Sequence, residues 1–362
     1  MKDTKQIITD ALQTKCKSCG GITLYSPADE NLKCEYCGSI TELDKTAAEI
    51  EENDFNHWKD LVVENSEDHT MEVTEIKCRQ CGANTTMAPN VSAAKCVFCS
   101  TPLILSEASI KRFWQPQYLL PFKITDKESN TNFKKWLSKQ WFLPSQLKKN
   151  GVDAHIFKGV YLPFWTYDAD TYTQYTGERG ENRTETSRNN KGEQVRRTIT
   201  DWYPASGEVS IPFDDIVVPA TNTLPLGIMR CLTNWDLMNC VAYRKEFMAG
   251  FITEIYQIDF RDGVLRAKEK MDNVILSAIN SDIGGDNQKI RSKQTQYNDL
   301  MFKLLLLPIW ISAFQFKGKL YQFVVNGRTG QVIGEYPKST AKIVTLIVLI
   351  IAIISILALM LQ

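Results

Sequence analysis

Apolar and polar residues alternate along two stretches of the chain, which predicts β-strands because successive side chains of a strand point to opposite faces. One stretch begins with YLPFWTYDA at 161–169 and the other with LLPIWISAF at 306–314. The second continues through turns at 317–319 and 326–330, so it predicts a three-stranded meander. Both share a Leu-Pro start with LLPFKI at 119–124, and we place each proline at its strand's first position, where it removes no interior hydrogen bond.

Helical periodicity marks three segments of the same region. We expect helices at 128–142, near 236–250 and at roughly 264–283, the last ended by Gly284-Gly285. The apolar faces expected for the first and third helices are Phe133, Trp136, Leu137 and Trp141, and Met271, Val274, Ile275, Ala278 and Ile279.

A polar segment at 177–200 separates two of the predicted strands. Its residues 189–192, Asn-Asn-Lys-Gly, predict a hairpin turn between Thr-rich arms. We interpret it as a solvated β-ribbon, and the alternative is a basic finger for phosphate or lipid headgroups. The aromatic residues crowded between 113 and 175 are interpreted as core, with stacking on nucleobases as the alternative.

The C-terminus carries nineteen uncharged residues, 343–361, which as a helix would be about 28 Å long and match the hydrocarbon core of a bilayer. We predict a single membrane span, with a buried core helix as the alternative. Lys338 and Lys342 precede it, which by the positive-inside rule places the N-terminal part in the cytoplasm, at the plasma membrane. The shorter apolar run at 304–314, interrupted by Pro308, suits a buried strand instead.

Eight of the ten cysteines form four C-x-x-C pairs in the first third of the chain. The second two pairs repeat the first two at a constant offset of 62 residues, and fourteen residues separate the inner cysteines of each half. The spacing predicts two zinc ribbons, each holding one structural Zn²⁺ with four thiolates and no open position for substrate. The predicted ligands are Cys16, Cys19, Cys34 and Cys37 in the first ribbon, and Cys78, Cys81, Cys96 and Cys99 in the second.

Other cysteine chemistries remain as alternatives to zinc: disulfides, a redox C-x-x-C, or rubredoxin-like iron. Disulfides need a secreted context, and the charged stretch before Lys15 does not read as a signal peptide. Two further cysteines, Cys231 and Cys240, stand alone and are expected to be ordinary free, buried thiols.

Charge separates the ribbons from the rest of a chain whose formal net charge is zero. Residues 1–107 carry 10 basic and 18 acidic side chains, a net charge of −8, which disfavours a phosphate-binding surface. The three histidines, His57, His69 and His155, are scattered, and no catalytic motif is visible, so we do not predict an enzyme or a small-molecule substrate.

These patterns predict an α+β protein with two small four-cysteine zinc ribbons, a β-rich α+β domain and one C-terminal transmembrane helix. The expected boundaries are 1–43 for the first ribbon, 44–75 for an acidic connector, 76–107 for the second ribbon, 108–337 for the α+β domain and 338–362 for the anchor. The middle of the connector is expected to form one amphipathic helix, with an apolar side of Phe55, Trp58, Leu61 and Val62.

The ribbons together with GVYLPFWTYDA at 159–169, FMAGFITEIYQI at 247–258, DIGGDNQKI at 282–290 and the block at 306–343 resemble a bacterial family of membrane-anchored zinc-ribbon proteins. The resemblance covers nearly the whole chain, and the C-terminal block is its most distinctive part. Such proteins are often labelled TFIIB-type zinc ribbon, primosomal or replication proteins. The knuckles of this chain lack the proline of C-P-x-C turns, a departure that zinc ligation tolerates.

The resemblance implies a role in an envelope-stress operon, beside a phage-shock-protein-A-type coat protein and a flotillin-like SPFH protein. The function hypothesis is therefore a membrane-tethered zinc-ribbon adaptor that recruits partners at the inner face of the plasma membrane. The alternative is a nucleic-acid-associated replication or transcription factor, which the acidic ribbons and the terminal span disfavour.

Overall fold

Two very long antiparallel strands dominate the computed structural model, and both contain a stretch that the period-two pattern predicts. The second strand begins at Asn287, nineteen residues before the predicted start at 306. The structure describes residues 14–44, 51–61, 69–86, 95–99, 101–103, 108–150, 157–188 and 194–360. The expected turn at 189–192, His155, Val62 and the end of the predicted span at 361 lie outside the described residues. The α+β class is confirmed, with two four-cysteine clusters and one apolar C-terminal helix.

The strands in chain order are β1 Thr14–Lys15, β2 Ile22–Ser26, β3 Asn31–Cys34, β4 Ile40–Thr41, β5 Asn53–Asp54, β6 Thr70–Lys77, β7 Asn84–Thr86, β8 Ser109–Trp114, β9 Tyr118–Leu119, β10 Lys158–Arg188, β11 Gln194–Phe213, β12 Val218–Pro219, β13 Val241–Ala242, β14 Ile252–Thr253, β15 Asn287–Phe316, β16 Lys319–Asn326 and β17 Val332–Gly334. The α-helices are α1 Phe55–Trp58, α2 Asp126–Ser138, α3 Ser145–Asn150, α4 Leu226–Cys231, α5 Phe260–Ile283 and α6 Thr340–Met360.

The described strands form three sheets. The central ten-stranded sheet has the main order β11-β10-β15-β16-β17, so the predicted meander of β15, β16 and β17 is confirmed. β10 pairs with β15 from Lys158↔Ile311 to Gly180↔Asn287, and its far half also pairs with β11. The polar segment at 177–200 therefore consists, where it is described, of two paired strand arms, as the ribbon interpretation expects.

Pro163 and Pro308 lie inside these strands, so the prediction that they begin them is wrong. In an antiparallel strand the N–H and C=O of one residue point to the same side. Pro163 O accepts from Ala220 N and Pro308 O accepts from Gly327 N, both outside the β10–β15 ladder. The missing N–H of each proline therefore faces the side where a short neighbouring strand ends, and the ladder loses no donor.

Helix α5 packs against the sheet and forms the largest part of one core cluster. It covers the predicted 264–283 and begins four residues earlier, at Phe260, where the Asp259 side chain caps Arg261 N. Gly284, with φ +66°, ends it as predicted. Val274 was expected on the apolar face but is 48% exposed. The fully buried face members are Met271, Ile275 and Ile279, at i, i+4 and i+8.

The other predicted helices differ from the structure. Helix α2 begins at a Thr125–Glu128 capping box and ends at Ser138, so Trp141 lies beyond it. The helix expected near 236–250 is wrong: two short 3₁₀ turns there flank β13, which pairs with β9. The connector holds only the single turn α1 among residues 51–61, because β5 just before it pairs with β15.

Both ribbon regions pack on the central domain. Strands β1 to β4 form one sheet, and its Tyr25 donates from Oη to Phe122 O at 3.1 Å and from its backbone N to Ala249 O at 3.0 Å. β6, β7 and β8 form the third sheet, and Phe98 of this region is completely buried. β8 pairs with β6 across the expected boundary at 107, so the second ribbon and the central domain share a sheet. The five expected domain ranges stay predictions.

Candidate metal centres and membrane anchor

Four sulfurs converge between the two knuckles of the first ribbon. Cys16 Sγ lies 3.6 Å from Cys37 Sγ, and Cys19 Sγ lies 3.5 Å from Cys34 Sγ. Each knuckle is closed by a backbone hydrogen bond to the carbonyl of its first cysteine, from Gly20 N at 2.9 Å or Gly38 N at 3.0 Å. Gly20 has φ +75° and Gly38 has φ +72°. Glycine suits both positions because it adopts this left-handed backbone conformation without steric cost.

The second ribbon repeats this geometry. Cys78 Sγ lies 3.6 Å from Cys99 Sγ, and Cys81 Sγ lies 3.6 Å from Cys96 Sγ. Gly82, with φ +77°, donates to Cys78 O at 2.9 Å, as its counterpart does in the first ribbon. The structure therefore brings all eight cysteines of the predicted set into two groups of four.

The sulfur spacing fits a metal ion and not a disulfide. A tetrahedral Zn²⁺ site with Zn–S bonds of about 2.3 Å requires sulfurs about 3.8 Å apart, whereas a disulfide bond is about 2.05 Å long. The pairs at 3.5–3.6 Å are close to the first value, and all four sulfurs of each group lie within 4.8 Å of one another. Both clusters are positioned to bind a metal ion, and an all-sulfur tetrahedral set suits zinc or iron.

Local hydrogen bonds favour the thiolate form, which such a metal needs, at Cys16 and Cys96. The Ser39 hydroxyl and the backbone N–H groups near Cys16 lower the pKa of that thiol to about 5. In the second cluster, the hydrogen bond between Cys81 and Cys96 lowers the pKa of Cys96 to about 5 and raises the pKa of Cys81, because Cys81 holds the shared proton.

Two hydroxyl residues complete the surroundings of the sulfurs, and neither is among the residues predicted from the sequence. Ser39 Oγ lies 3.0 Å from Cys16 Sγ and 3.1 Å from Cys37 Sγ, while Thr101 Oγ1 lies 3.3 Å from Cys99 Sγ. A metal-bound thiolate only accepts, so each hydroxyl then donates to it. Ser39 and Thr101 are themselves 62 residues apart, so the repeat offset contained the signal.

The two clusters differ in what surrounds them. In the first, Cys19 and Cys37 are exposed, and beside them Tyr36 is 77% exposed and Ile40 52% exposed. In the second, Phe98 is buried and its carbonyl accepts from Gln322 Nε2 at 2.6 Å. The first cluster therefore presents an apolar tip to solvent, while the second is held against the central sheet.

A third group of ligand-type side chains lies elsewhere: Glu52, Asp168 and Asp215. Lys303 sits among them, with Nζ 2.5 Å from Glu52 Oε1 and 2.7 Å from Asp215 Oδ1. Burial, and then the hydrogen bond with Glu52, raises the pKa of Asp168 to about 7. The lysine occupies the place that a cation would take, so this cluster is a structural ion-pair network.

The remaining residues singled out in the sequence lie apart from the clusters. His57 and His69 pack edge-on against Trp58, and His69 also stacks on Trp114. Cys231 is exposed, so the expectation that it is buried is wrong. Cys240 is half-buried, and burial raises the pKa of its thiol to about 12.

One helix among the described residues is long and apolar enough to cross a membrane, Thr340–Leu359, and no part of it is buried in the protein. Its start is fastened to the loop after α2. Ser339 N donates to Phe142 O at 2.8 Å, and Lys342 Nζ donates to Leu143 O at 2.7 Å and to Trp141 O at 3.2 Å. The candidate span is thus attached to the central domain at its first turn.

Comparison with known proteins gives one distant relative to report. The chain is 26% identical over 232 residues to "Uncharacterized protein YdjG" of Bacillus subtilis (strain 168). The aligned region covers 63% of this chain and 65% of that protein, so the chain spans less than two thirds of its relative. No protein-family model matches the chain, and no solved structure matches it. The weak homology agrees in part with the resemblance carried by the motifs.

Proposed function

We propose that this protein is a membrane-tethered adaptor that holds two zinc ribbons at the cytoplasmic face of the bacterial plasma membrane. The observation that carries the proposal is the exposed apolar helix α6, attached to a body that contains two four-cysteine clusters. A helix of this length and composition with no protein around it requires an apolar environment, and a bilayer supplies one.

Orientation follows from charge and redox chemistry. Lys338 and Lys342 flank the N-terminal end of the candidate span, and the positive-inside rule then keeps the preceding residues in the cytoplasm. The ten cysteines are free thiols, eight of them grouped for metal binding, which suits the reducing compartment.

The two metal centres have a structural role in this proposal. Four protein sulfurs fill a tetrahedral site and leave no position for a substrate, so the metal would stabilise the ribbon rather than perform chemistry. The apolar tip of the first ribbon, formed by Tyr36 and Ile40, is the proposed partner-binding surface because large exposed apolar side chains mark such sites.

Protein partners fit this region better than nucleic acid. Residues 1–107 carry a net charge of −8, and each Zn(Cys)₄ group would add two further negative charges. The proposed partners, which rest on the family resemblance, are a phage-shock-protein-A-type coat protein and a flotillin-like SPFH protein.

The tether is tested by deleting residues 340–362. We expect the full chain to resist extraction from membranes by alkaline carbonate, and the shortened chain to move to the soluble fraction with an unchanged circular dichroism spectrum. A shortened chain that still resists carbonate would contradict the single span.

The partner surface is tested by Tyr36→Ala combined with Ile40→Ala. Isolation of the tagged full chain from solubilised membranes should recover the two proposed partners, and the double variant should recover at least about fivefold less of them. Tyr203→Ala is the matched control, because Tyr203 is 52% exposed on the β11 arm, away from the ribbons. Salt-sensitive DNA or RNA binding by the full chain would instead favour the nucleic-acid alternative.

A further inference from the structure

The loop that follows α2 lies at the level of the first turn of the candidate span. Three backbone carbonyls in a row, those of residues 141–143, accept hydrogen bonds from Ser339 N or Lys342 Nζ. Nearby, the rings of Trp136 and Tyr336 pack edge-to-face with centroids 6.0 Å apart. Because both segments are fixed to each other, a bilayer that accommodates α6 brings its headgroup layer to this loop.

Trp141 occupies this level with its side chain in solvent. It is 70% exposed, while ten other aromatic residues between 114 and 175 are buried. Tryptophan is enriched where membrane meets water, because its ring is apolar and its indole N–H is polar. An exposed tryptophan beside the first turn of a span therefore has the position and chemistry of an interfacial anchor.

The segments next to Trp141 carry more exposed basic than acidic side chains, and Glu335, three residues before Lys338, pairs with Lys319. Lys134, Lys135 and Lys139 are exposed on the second half of α2 and just after it, and Lys338 is exposed immediately before α6. Residues 129–147 contain no Asp or Glu. The acidic residues of α2, Asp126 and Glu128, lie at its other end in the first turn. Anionic headgroups attract lysines placed within a Debye length of the membrane surface.

We infer that the face formed by the second half of α2, Trp141 and Lys338 lies on the anionic headgroup layer of the membrane that holds α6, and that its partner is anionic phospholipid. The inference rests on the proposed tether and adds to it a second, peripheral contact. Two contacts restrict the tilt of the cytoplasmic body, which a single flexible anchor does not.

The polar hairpin lies at the opposite end of the molecule. Lys158, at the start of β10, pairs with Ile311 of β15, near β16 and β17, the strands that precede α6. From there β10 runs to Arg188, about 100 Å along the strand at about 3.3 Å per residue. The basic side chains of the hairpin arms are therefore remote from the span and serve as a charge-matched control.

The position of Trp141 at the headgroup layer is tested by quenching of tryptophan fluorescence in the full chain. The protein is reconstituted in nanodiscs of phosphatidylcholine and phosphatidylglycerol whose acyl chains carry bromine just below the headgroups. Trp141→Phe should remove at least half of the bromine-dependent quenching of the wild type. Trp202→Phe, in the β11 arm where Lys289 covers the ring, should leave it unchanged. Equal quenching in Trp141→Phe and wild type would overturn the inference.

Lipid preference is tested by charge reversal. Lys134→Glu, Lys135→Glu and Lys139→Glu together should reduce the phosphatidylglycerol retained by the detergent-purified protein at least threefold. The control reverses Arg188, Arg196 and Arg197 to Glu, with the same charge change, and should retain wild-type amounts. The opposite result would assign lipid binding to the hairpin and overturn the inference.

The carbonate and quenching experiments separate a failure of the tether from a failure of the peripheral contact. If carbonate extracts the wild-type chain from membranes, the tether itself is wrong. If the wild-type chain resists carbonate while Trp141 is not quenched, the tether stands and the peripheral contact is wrong.

Discussion

Lys303 and Glu52, 251 residues apart, form an ion pair in which Nζ lies 2.5 Å from Oε1 and the lysine side chain is only 6% exposed. Lys303 also contacts Asp215 at 2.7 Å. Glu52 belongs to the segment between the two ribbons, and Lys303 belongs to β15 at the centre of the sheet. The pair therefore fastens that segment to the central domain, beside the two-residue strand pairing of β5.

Lys303→Met should destabilise the protein by about 3 kcal/mol, because removing one partner of a buried ion pair leaves uncompensated charge. The measurement is urea denaturation of the detergent-solubilised full chain. Lys319→Met is the control: Lys319 and Glu335 are both more than half exposed and 3.7 Å apart, so we expect a loss below about 1 kcal/mol. Equal losses of unfolding free energy in the two variants would show that the buried Lys303 network stabilises the protein no more than an exposed ion pair does.

Asp168→Asn should remove the part of the protein's pH-dependent folding stability that arises from protonation of Asp168. An unfolded aspartate has a pKa of about 4, and burial together with the Glu52 hydrogen bond raises the pKa of folded Asp168 to about 7. The folded state holds this proton more tightly, so the contribution to stability is greatest below about pH 4 and is lost as pH rises to about 7. Asparagine keeps an oxygen for the 2.8 Å hydrogen bond from Asp215 N.

The check is the thermal midpoint of wild type and variant from pH 5 to pH 8. The advantage of Asp168→Asn over wild type should grow with pH across this range. Asp170→Asn, two residues away and exposed, should show no such trend. A difference between Asp168→Asn and wild type that stays constant with pH would contradict the assignment.

Gly263→Ala should destabilise α5 although alanine favours helices. A Cβ there would overlap Tyr167 Oη, and this buried hydroxyl already donates to Phe260 O at 2.6 Å. We expect a loss of about 1–3 kcal/mol from overpacking, measured by urea denaturation. The matched control is Gly227→Ala in α4, where a Cβ meets nothing within 4 Å, and it should be neutral or slightly stabilising. A stable Gly263→Ala would mean that the helix can shift away from the sheet.

Metal analysis of the reduced full chain should give two zinc ions per molecule. Cys16→Ser and Cys78→Ser should each remove one ion, because each cluster is positioned to hold a metal of its own. The control Cys231→Ser, at an exposed cysteine outside both clusters, should retain two. The full chain is needed because β8 pairs with β6 and Tyr25 packs on the central domain. One ion or none in the wild type would refute the two-site assignment.

Short-range patterns of the sequence determined much of this protein. The C-x-x-C spacing predicted both cysteine clusters because a knuckle is a local turn, closed within about four residues. Alternation predicted β10 and the β15–β17 meander, and uniform apolarity predicted α6, because both depend only on neighbours along the chain. The end of α5 at Gly284 was equally local.

Tertiary structure alone decided the features that depend on distant pairing. The Glu52–Lys303 contact, the prolines inside β10 and β15, and the replacement of a helix at 236–250 by β13 all follow from which strands meet and in what register. Trp141 reads from sequence as a core residue, and only the hydrogen bonds that place its loop beside α6 leave it in solvent. No local period encodes such contacts, because their energies arise between segments that the chain brings together only when it folds.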